Sequence, residues 1–460
     1  MRDALGLDTS ATSRACVDAL DAARASLLGF RADMGLHAKA ALAADPDCVP
    51  AHVLRGCMAM LLSSVAALDG VDRAIAAATR GEARATPRER LHLEALRGWR
   101  GGRVAQAIAC WEAILRDHPR DLLALRLAHF AYFWSAADPA GMRASVERVL
   151  PAWGPGVPGR GWVLGMHGFA CEETGELGLA GIGARAALEE DPSDLWSVHA
   201  LAHVLEMEAR HGEGDALASR AAPHLEGATN FRFHLAWHRA LSMMELGAGA
   251  QEVLGWYDGA VRDLSSPLVQ GQPDLYIDVQ NAASLLLRLE LEGVDAGDRW
   301  TELADRAEAR IGDHLVVFTL PHWMMALAAA GRDEACDRLL AAMEAHAAAP
   351  GEGQGERDTV GRVAIPAARC LRAHRRGAFA EALDALFPAR HAIPRLGGSH
   401  AQRDLLWQVM ADAAQRAGRD AELSTLLREV ATARAPHPVP RFYRRLATRR
   451  VTRSAGRCGT

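Results

Sequence analysis

The sequence predicts an all-α fold, a tetratricopeptide-like right-handed superhelix of stacked helix–turn–helix repeats. Three observations carry this. Half of the 460 residues are hydrophobic while only 5% are aromatic, and the apolar bulk is Ala and Leu, both strong helix formers. Val and Ile runs with period two, the mark of half-buried strands, are hard to find. Three similar phrases, Ala40–Pro46, Glu112–Pro119 and Ala186–Pro192, end in prolines 73 residues apart, two helix–turn–helix units. A compact fold of this length would usually divide into domains, but a solenoid packs each repeat only on its neighbours. The expectation is one solenoid over residues 1–435, regular from about 10 to 247 and more divergent from 250 to 435. A basic, poorly ordered tail over 436–460 follows.

Each proline phrase is an Ala-rich helix end that its proline cannot continue. Between them, Thr86-Pro-Arg-Glu89 reads as a capping box with Pro at the first helical position. Trp153–Gly159, rich in Gly and Pro, reads as a loop. Repeats then begin near residues 10, 47, 86, 120, 158, 193 and 229. After Gly247 the period weakens. Helices are expected at Gln251–Leu264, Leu275–Glu292, Trp300–Ile311, His314–Ala330 and Arg332–Ala347. A flexible link at Gly351–Glu356 is followed by Val360–Arg375, Phe379–Leu386, Gln402–Ala417 and Ala421–Arg434.

Charge and cysteine usage bound the function. Net charge is −5 and the pI about 6.4, so no basic field favours nucleic acid. Lys39 is the only lysine, and the remaining positive charge is arginine. The eight cysteines are scattered, with no C-x-x-C pair and no sign of a disulfide framework. No signal-peptide core opens the chain and no apolar run reaches membrane-spanning length, so a cytoplasmic protein with no membrane partner is expected.

The informative stretch runs from Asp194 to Glu245. It holds His199-x-x-x-His203-x-x-Glu206 and His234-x-x-x-His238, the two His pairs in register 35 residues apart. Histidines four apart share one helix face, and Glu206 lies on the same face as His203. Two equivalent helices therefore present imidazoles at one height. Such a set, with a carboxylate, binds zinc or iron when a second helix adds a ligand. The metal set expected is His199, His203 and His238. Ala200 stands where a zincin would place its glutamate, so that motif is excluded. Without metal, the same groups suit ligand binding or acid–base chemistry, and a purely structural hydrogen-bonded network is the remaining alternative. Other first helices carry His52, His92, His129 and His167. They form either a polar groove or semi-buried slots in which each His bonds a backbone carbonyl. Trp196 and Trp237 flank the His pairs; core packing competes there with ligand contact. One of Glu172 and Glu173 is expected to point into the groove with His167, the other into solvent. Ser399-x-x-Gln402 reads as a second capping box after Gly397-Gly398. Its helix start could attract an anion, with Arg403 adding a bidentate contact. Residues Ser399–Asp404 are expected to approach the His234/His238 end.

Over nearly its whole length the chain resembles the tetratricopeptide repeat protein 38 family. The phrases that carry this are Thr86–His92, Trp111-Glu-x-Ile-Leu with Asp117–Leu125, and Gly165-Met166 with Glu172-Glu173. They continue through Asp194–Met207, His234-x-x-Trp-His238, Leu285–Leu289 with Gly297–Trp300, and Gly397–Asp404. The resemblance implies a tetratricopeptide-like solenoid and no settled activity. It adds His322 and His400 to the candidate binding residues. Two positions depart: Leu320 stands where the family carries an acid, and Leu235 where it often has asparagine.

Two functions follow. In one, the closed concave face binds a small-molecule ligand, with His199, His203, Glu206, His234, His238 and Glu172 doing proton or metal chemistry. Its binding residues would be His167, Trp196, Trp237, His322, Ser399, His400, Gln402, Arg403 and Asp404. In the other, the groove is a non-catalytic scaffold for an extended peptide. The concentration of His and Glu in three repeats favours the first.

Overall fold

The computed structural model describes residues 1–351 and 353–448. Helix follows helix throughout. Among the described residues the only β features are two isolated bridges, Arg2 with Asp8 and Arg31 with Ala228. The helices pair as α1 (Arg14–Leu28) with α2 (Met34–Ala44), α3 (Val49–Leu61) with α4 (Leu68–Gly81), α5 (Pro87–Arg100) with α6 (Val104–Asp117), and α7 (Leu122–Ala131) with α8 (Pro139–Val149). Then come α9 (Arg160–Glu173) with α10 (Leu177–Glu190), α11 (Leu195–Met207) with α12 (His211–Ala221), and α13 (Phe231–Leu246) with α14 (Ala250–Trp256). The first helices, at 14, 49, 87, 122, 160, 195 and 231, start close beyond the expected positions.

The later helices are α15 (Pro267–Gly271), α16 (Tyr276–Leu291), α17 (Arg299–Ala309), α18 (Thr319–Ala329), α19 (Asp333–Ala348), α20 (Gln354–Thr359), α21 (Ile365–Arg375), α22 (Phe379–Leu386), α23 (His400–Arg416) and α24 (Asp420–Arg434). The expected flexible link Gly351–Glu356 is corrected, since α20 is helical from Gln354. Sequence reasoning missed α15 and the 3₁₀ stretch Phe387–Leu396, both proline-containing. It also began α18 five residues early: Thr319 N–H bonds Val316 O in a turn that precedes the helix. The expected fraying after Pro436 is corrected. Residues 441–448 are helical, with Phe442, Tyr443 and Leu446 buried. Residues 449–460 of the expected basic tail lie outside the described residues.

Contacts group the chain into two compact units. The first is Met1–Leu201 with Ser219–Arg232 and Pro350–Gln354; the second is Ala202–Ala218 with Phe233–Ala349 and Gly355–Thr460. In the first unit, small side chains let neighbouring helices close up: Cys16, Val17, Ala41, Cys48 and Ala51 form one cluster, and Ala23, Leu27, Ala38 and Leu54 another.

Several helix starts carry side-chain caps. Thr86 and Glu89 make both halves of the capping box on α5. Asp121 and Asp194 occupy equivalent places, 73 residues apart, before α7 and α11. Asp121 Oδ1 accepts from Ala124 N at 2.9 Å, while Oδ2 takes Arg88 Nη1 at 2.5 Å and His92 Nε2 at 3.0 Å. Burial pushes this carboxyl up, but His92 and Arg88 outweigh it and hold the group well below the usual range. Asp194 accepts from Trp196 N and from Ser197 Oγ. In the second unit α16 is buried on nearly every side, as a helix with apolar residues all round must be. Its polar residues Asp278, Gln280, Asn281, Ser284 and Arg288 are inside too.

Gly165, on α9, faces Ser197 so closely that a Cβ would run into the hydroxyl capped on Asp194. Gly161, on the same helix, has only ordinary contacts at 3.7 Å around a Cβ. Gly165→Ala is therefore expected to lower stability by about 1–3 kcal/mol. Gly161→Ala should raise it by up to about 1 kcal/mol. Urea unfolding midpoints check both, and shifts of the same sign would contradict the packing described.

Candidate functional site

The imidazoles come together because two helix faces carry them at matching heights. In the second unit, His203 stands on α11 and His234 and His238 on α13. Ring centroids are 4.5 Å apart for His203 and His238, and 4.8 Å for His234 and His238, with the planes steeply inclined. One nitrogen from each of the three lies within 4.8 Å of the others. All three rings are buried.

Neighbouring side chains on α16 orient them. His234 Nδ1–H donates to Asn281 Oδ1 at 3.1 Å, which places the ring's lone pair on Nε2. His234 also stacks on Trp237, centroids 5.5 Å apart at 11°, and Trp237 Nε1–H donates to Ser284 Oγ at 2.9 Å. Burial sets the charge state. It lowers His234 to about 4, against a smaller opposing effect of the Asn281 bond. It lowers His203 and His238 well below the ordinary histidine value, reinforced by their mutual repulsion with His234. The three rings are neutral at pH 7, the state in which imidazole ligates a metal or accepts a proton.

One turn further along the same helices lies a cavity of about 210 Å³. Glu206, Leu241, Glu245, Arg288, Asp404 and Phe442 are among its walls. Glu206 faces His211 Nδ1 at 3.3 Å and Arg434 Nη2 at 3.8 Å. Burial pushes this carboxyl up, but His211 and Arg434 outweigh it and hold it low. Glu245 accepts from Arg441 N at 2.9 Å and is raised, chiefly by burial and then by Glu206. Arg288 Nη2 donates to Ala401 O at 2.6 Å. Its Nη1 has no hydrogen-bond partner among the described residues, and burial lowers its pKa. Asp404 accepts from Tyr443 Oη at 2.8 Å and from Gln408 Nε2 at 2.7 Å.

The structure places the other candidates as follows. Ala401 and Asp404 line the cavity together with Glu206 and Leu241, and His400 and Arg403 act electrostatically on His203. The side chains of Ser399 and Gln402 are consumed by the capping box itself. Arg403 Nη1 donates to Gly398 O. Gly398, at φ +75°, leaves no room for a Cβ against the Phe318 ring at 2.7 Å. In the first unit, His199 lies one turn before His203 on α11 and packs against Trp196 and Phe169, centroids 4.9 and 5.2 Å away. Trp196 and Trp237 are both core residues. Glu172 and Glu173 are both buried, so the expectation that one is solvated is corrected. His167 faces Cys171 Sγ at 3.4 Å and Glu147 at 3.5 Å, a pairing with its own turn and with α8. His322 Nδ1–H donates to Phe318 O at 2.9 Å, a helix-internal bond.

The remaining histidines do not make one row. His52 Nε2–H donates to Pro46 O at 2.8 Å, as a semi-buried slot predicts. His92 bonds the Asp121 carboxylate. His129 bonds neither, and packs on aromatic rings. Sequence reasoning gave no role to Asn281, Glu245 or Arg288. The available signal was polar residues inside an otherwise apolar helix, Val279-Gln-Asn-Ala through Leu287-Arg-Leu289.

No family model matches the chain. Similar solved structures include the human IFIT1 dimer with m7Gppp-AAAA, at 14% identity over 91% of each chain with a TM-score of 0.39. Another is Naa15/Naa10 bound to HypK-THB, at 12% identity and a TM-score of 0.23, covering 91% of this chain and 63% of that one. Among the described residues no helix is long and apolar enough to cross a membrane.

His211 bridges Glu206 and Glu245 from the helix that follows. Burial would lower its pKa, but Glu206 and then Glu245 outweigh it and raise it. Its contribution to stability is therefore complete below about pH 6.5, the unfolded value, and is lost as pH rises through the folded value. His211→Asn is expected to cost on the order of 1 kcal/mol at pH 6 and distinctly less at pH 8. Urea midpoints at the two pH values check this, and an equal or larger loss at pH 8 would contradict it.

Proposed function

We propose that the second unit is a small-molecule site in which His203, His234 and His238 hold a divalent metal, zinc or iron, beside the cavity under Glu206, Glu245 and Arg288. The observation that carries this is the convergence of three buried, neutral imidazoles from two helices. Three histidines suit a metal that keeps one position open for water or substrate. Asn281 is the kind of partner that fixes a ligating ring's tautomer and orientation. A metal so held polarises an oxygen of a bound molecule or lowers the pKa of a bound water. The chain's own residues then bind and orient. Arg288 offers Nη1 to an acceptor, and Glu245, raised toward neutrality, is suited to hold or release a proton. The ordered phrases that resemble the tetratricopeptide repeat protein 38 family support placing the chain there.

Titration of metal-free protein with Co²⁺ tests the proposal. A tetrahedral visible spectrum saturating near one equivalent is expected. It should be abolished in His238→Ala, and Asn281→Leu should weaken binding about 10–100-fold. No binding by folded protein, or unchanged binding in both variants, would sink it.

A further inference from the structure

The first unit contains a second polar cluster that the imidazole site does not use. Arg126 of α7 is fully buried, and among the described residues none of its three guanidinium nitrogens has a hydrogen-bond partner. One turn on, His129 is buried with neither ring nitrogen bonded, and Trp196 Nε1 is buried and unbonded as well. The three belong to one place. The guanidinium carbon lies 4.8 Å from the Trp196 ring, and the His129 and Trp196 rings are 5.6 Å apart.

Stacking explains only part of this. Arg126 also lies 5.6 Å from the Phe30 ring and 5.3 Å from the Phe130 ring, and such contacts stabilise a desolvated cation. They give its three buried nitrogens no hydrogen-bond acceptor. Asp194, the nearby carboxylate, is engaged by Trp196 N and Ser197 Oγ and makes no ion pair with Arg126. Burial pulls Arg126 down to about 10, which leaves it charged at pH 7. His129 is held well below its ordinary value, first by burial and then by Arg126, so it is a neutral ring with one donor.

The backbone supplies a second, independent sign. Phe30 has φ +54°, a left-handed conformation unusual for a bulky residue. It is held there by Thr229 N–H to Phe30 O at 2.7 Å and by Arg31 N–H to Ser26 O at 2.8 Å. The strain keeps its ring stacked on Phe231 at 4.0 Å and on Trp196 at 5.8 Å. Strain of this kind clusters at ligand clamps. Flat aromatic walls beside a cluster of unsatisfied N–H donors complement a planar body that ends in a carboxylate.

We propose that Arg126, His129 and Trp196 form an anion-accepting subsite for a small aromatic carboxylate, with Phe30, Phe130 and Phe231 as its walls. Entry requires the Phe30 loop to move aside. This site and its test are independent of the metal proposal.

Thermal unfolding of the full chain, titrated with sodium benzoate against sodium chloride at matched ionic strength, tests the subsite. A saturable rise in Tm specific to benzoate is expected. Arg126→Met should abolish it. Trp196→Phe keeps the aromatic wall and removes one donor, and should weaken binding several-fold; it decides the matter if Arg126→Met does not fold. No benzoate-specific rise in the wild type, or the same rise in folded variants, overturns the proposal.

Discussion

Everything at the candidate site depends on the cost of charging an imidazole away from water. His203, His234 and His238 are buried against one another, so a proton on any one is opposed by desolvation and by its neighbours. That single constraint makes them neutral, leaves lone pairs to be directed, and calls for an outside group to fix each tautomer. Asn281 answers it for His234, from a helix buried on nearly every side. The polar residues of α16 are thus part of the site: Asn281 and Ser284 hold the rings and Arg288 faces the cavity. The cavity tolerates its charges because they are shared. Glu206, His211 and Glu245 form one chain of pairs, which Arg434 and Arg441 close.

Height on a helix means nothing unless the helix begins at a fixed residue. The caps supply that origin. Thr86, Asp121, Asp194 and Ser399 each bind the first turn of the helix they precede. Among the first helices α1, α5, α7 and α11 start at such a cap, and residues a fixed number of positions later fall at matching levels. In the second unit the chain also returns on itself: Arg441 N caps the Glu245 carboxylate, and Phe442 forms part of the cavity wall.

The fold was legible because its signals are local and repeated. Prolines at 46, 119 and 192 gave the period, and two capping boxes formed as written. The pairing of His203 with His238 was legible for the same reason, since a fixed repeat and a helical face determine it. What was not legible came from outside the repeat. Asn281 lies in a stretch where the period has weakened, so nothing local ties it to His234. The end segment reads as basic and solvated because the seven arginines between 441 and 457 outnumber Phe442, Tyr443 and Leu446, yet those apolar three are the ones that pack. The His row was over-read: one residue type at one period found three settings, a carbonyl for His52, a carboxylate for His92 and aromatic rings for His129. Arg126 passed unremarked because a lone arginine in Leu122–Phe130 looks like any charge on a helix until its burial is known.

The neutrality of the triad is the claim on which the account turns. Nitrogen-15 NMR of histidine-labelled protein, with His203, His234 and His238 assigned by single substitutions and followed from pH 7.5 to pH 5, measures it directly. The account predicts three rings that keep the shifts of neutral imidazole down to pH 5, with the His234 proton on Nδ1. Rings that titrate near 6.5 like free histidine, or a His234 proton on Nε2, would contradict it.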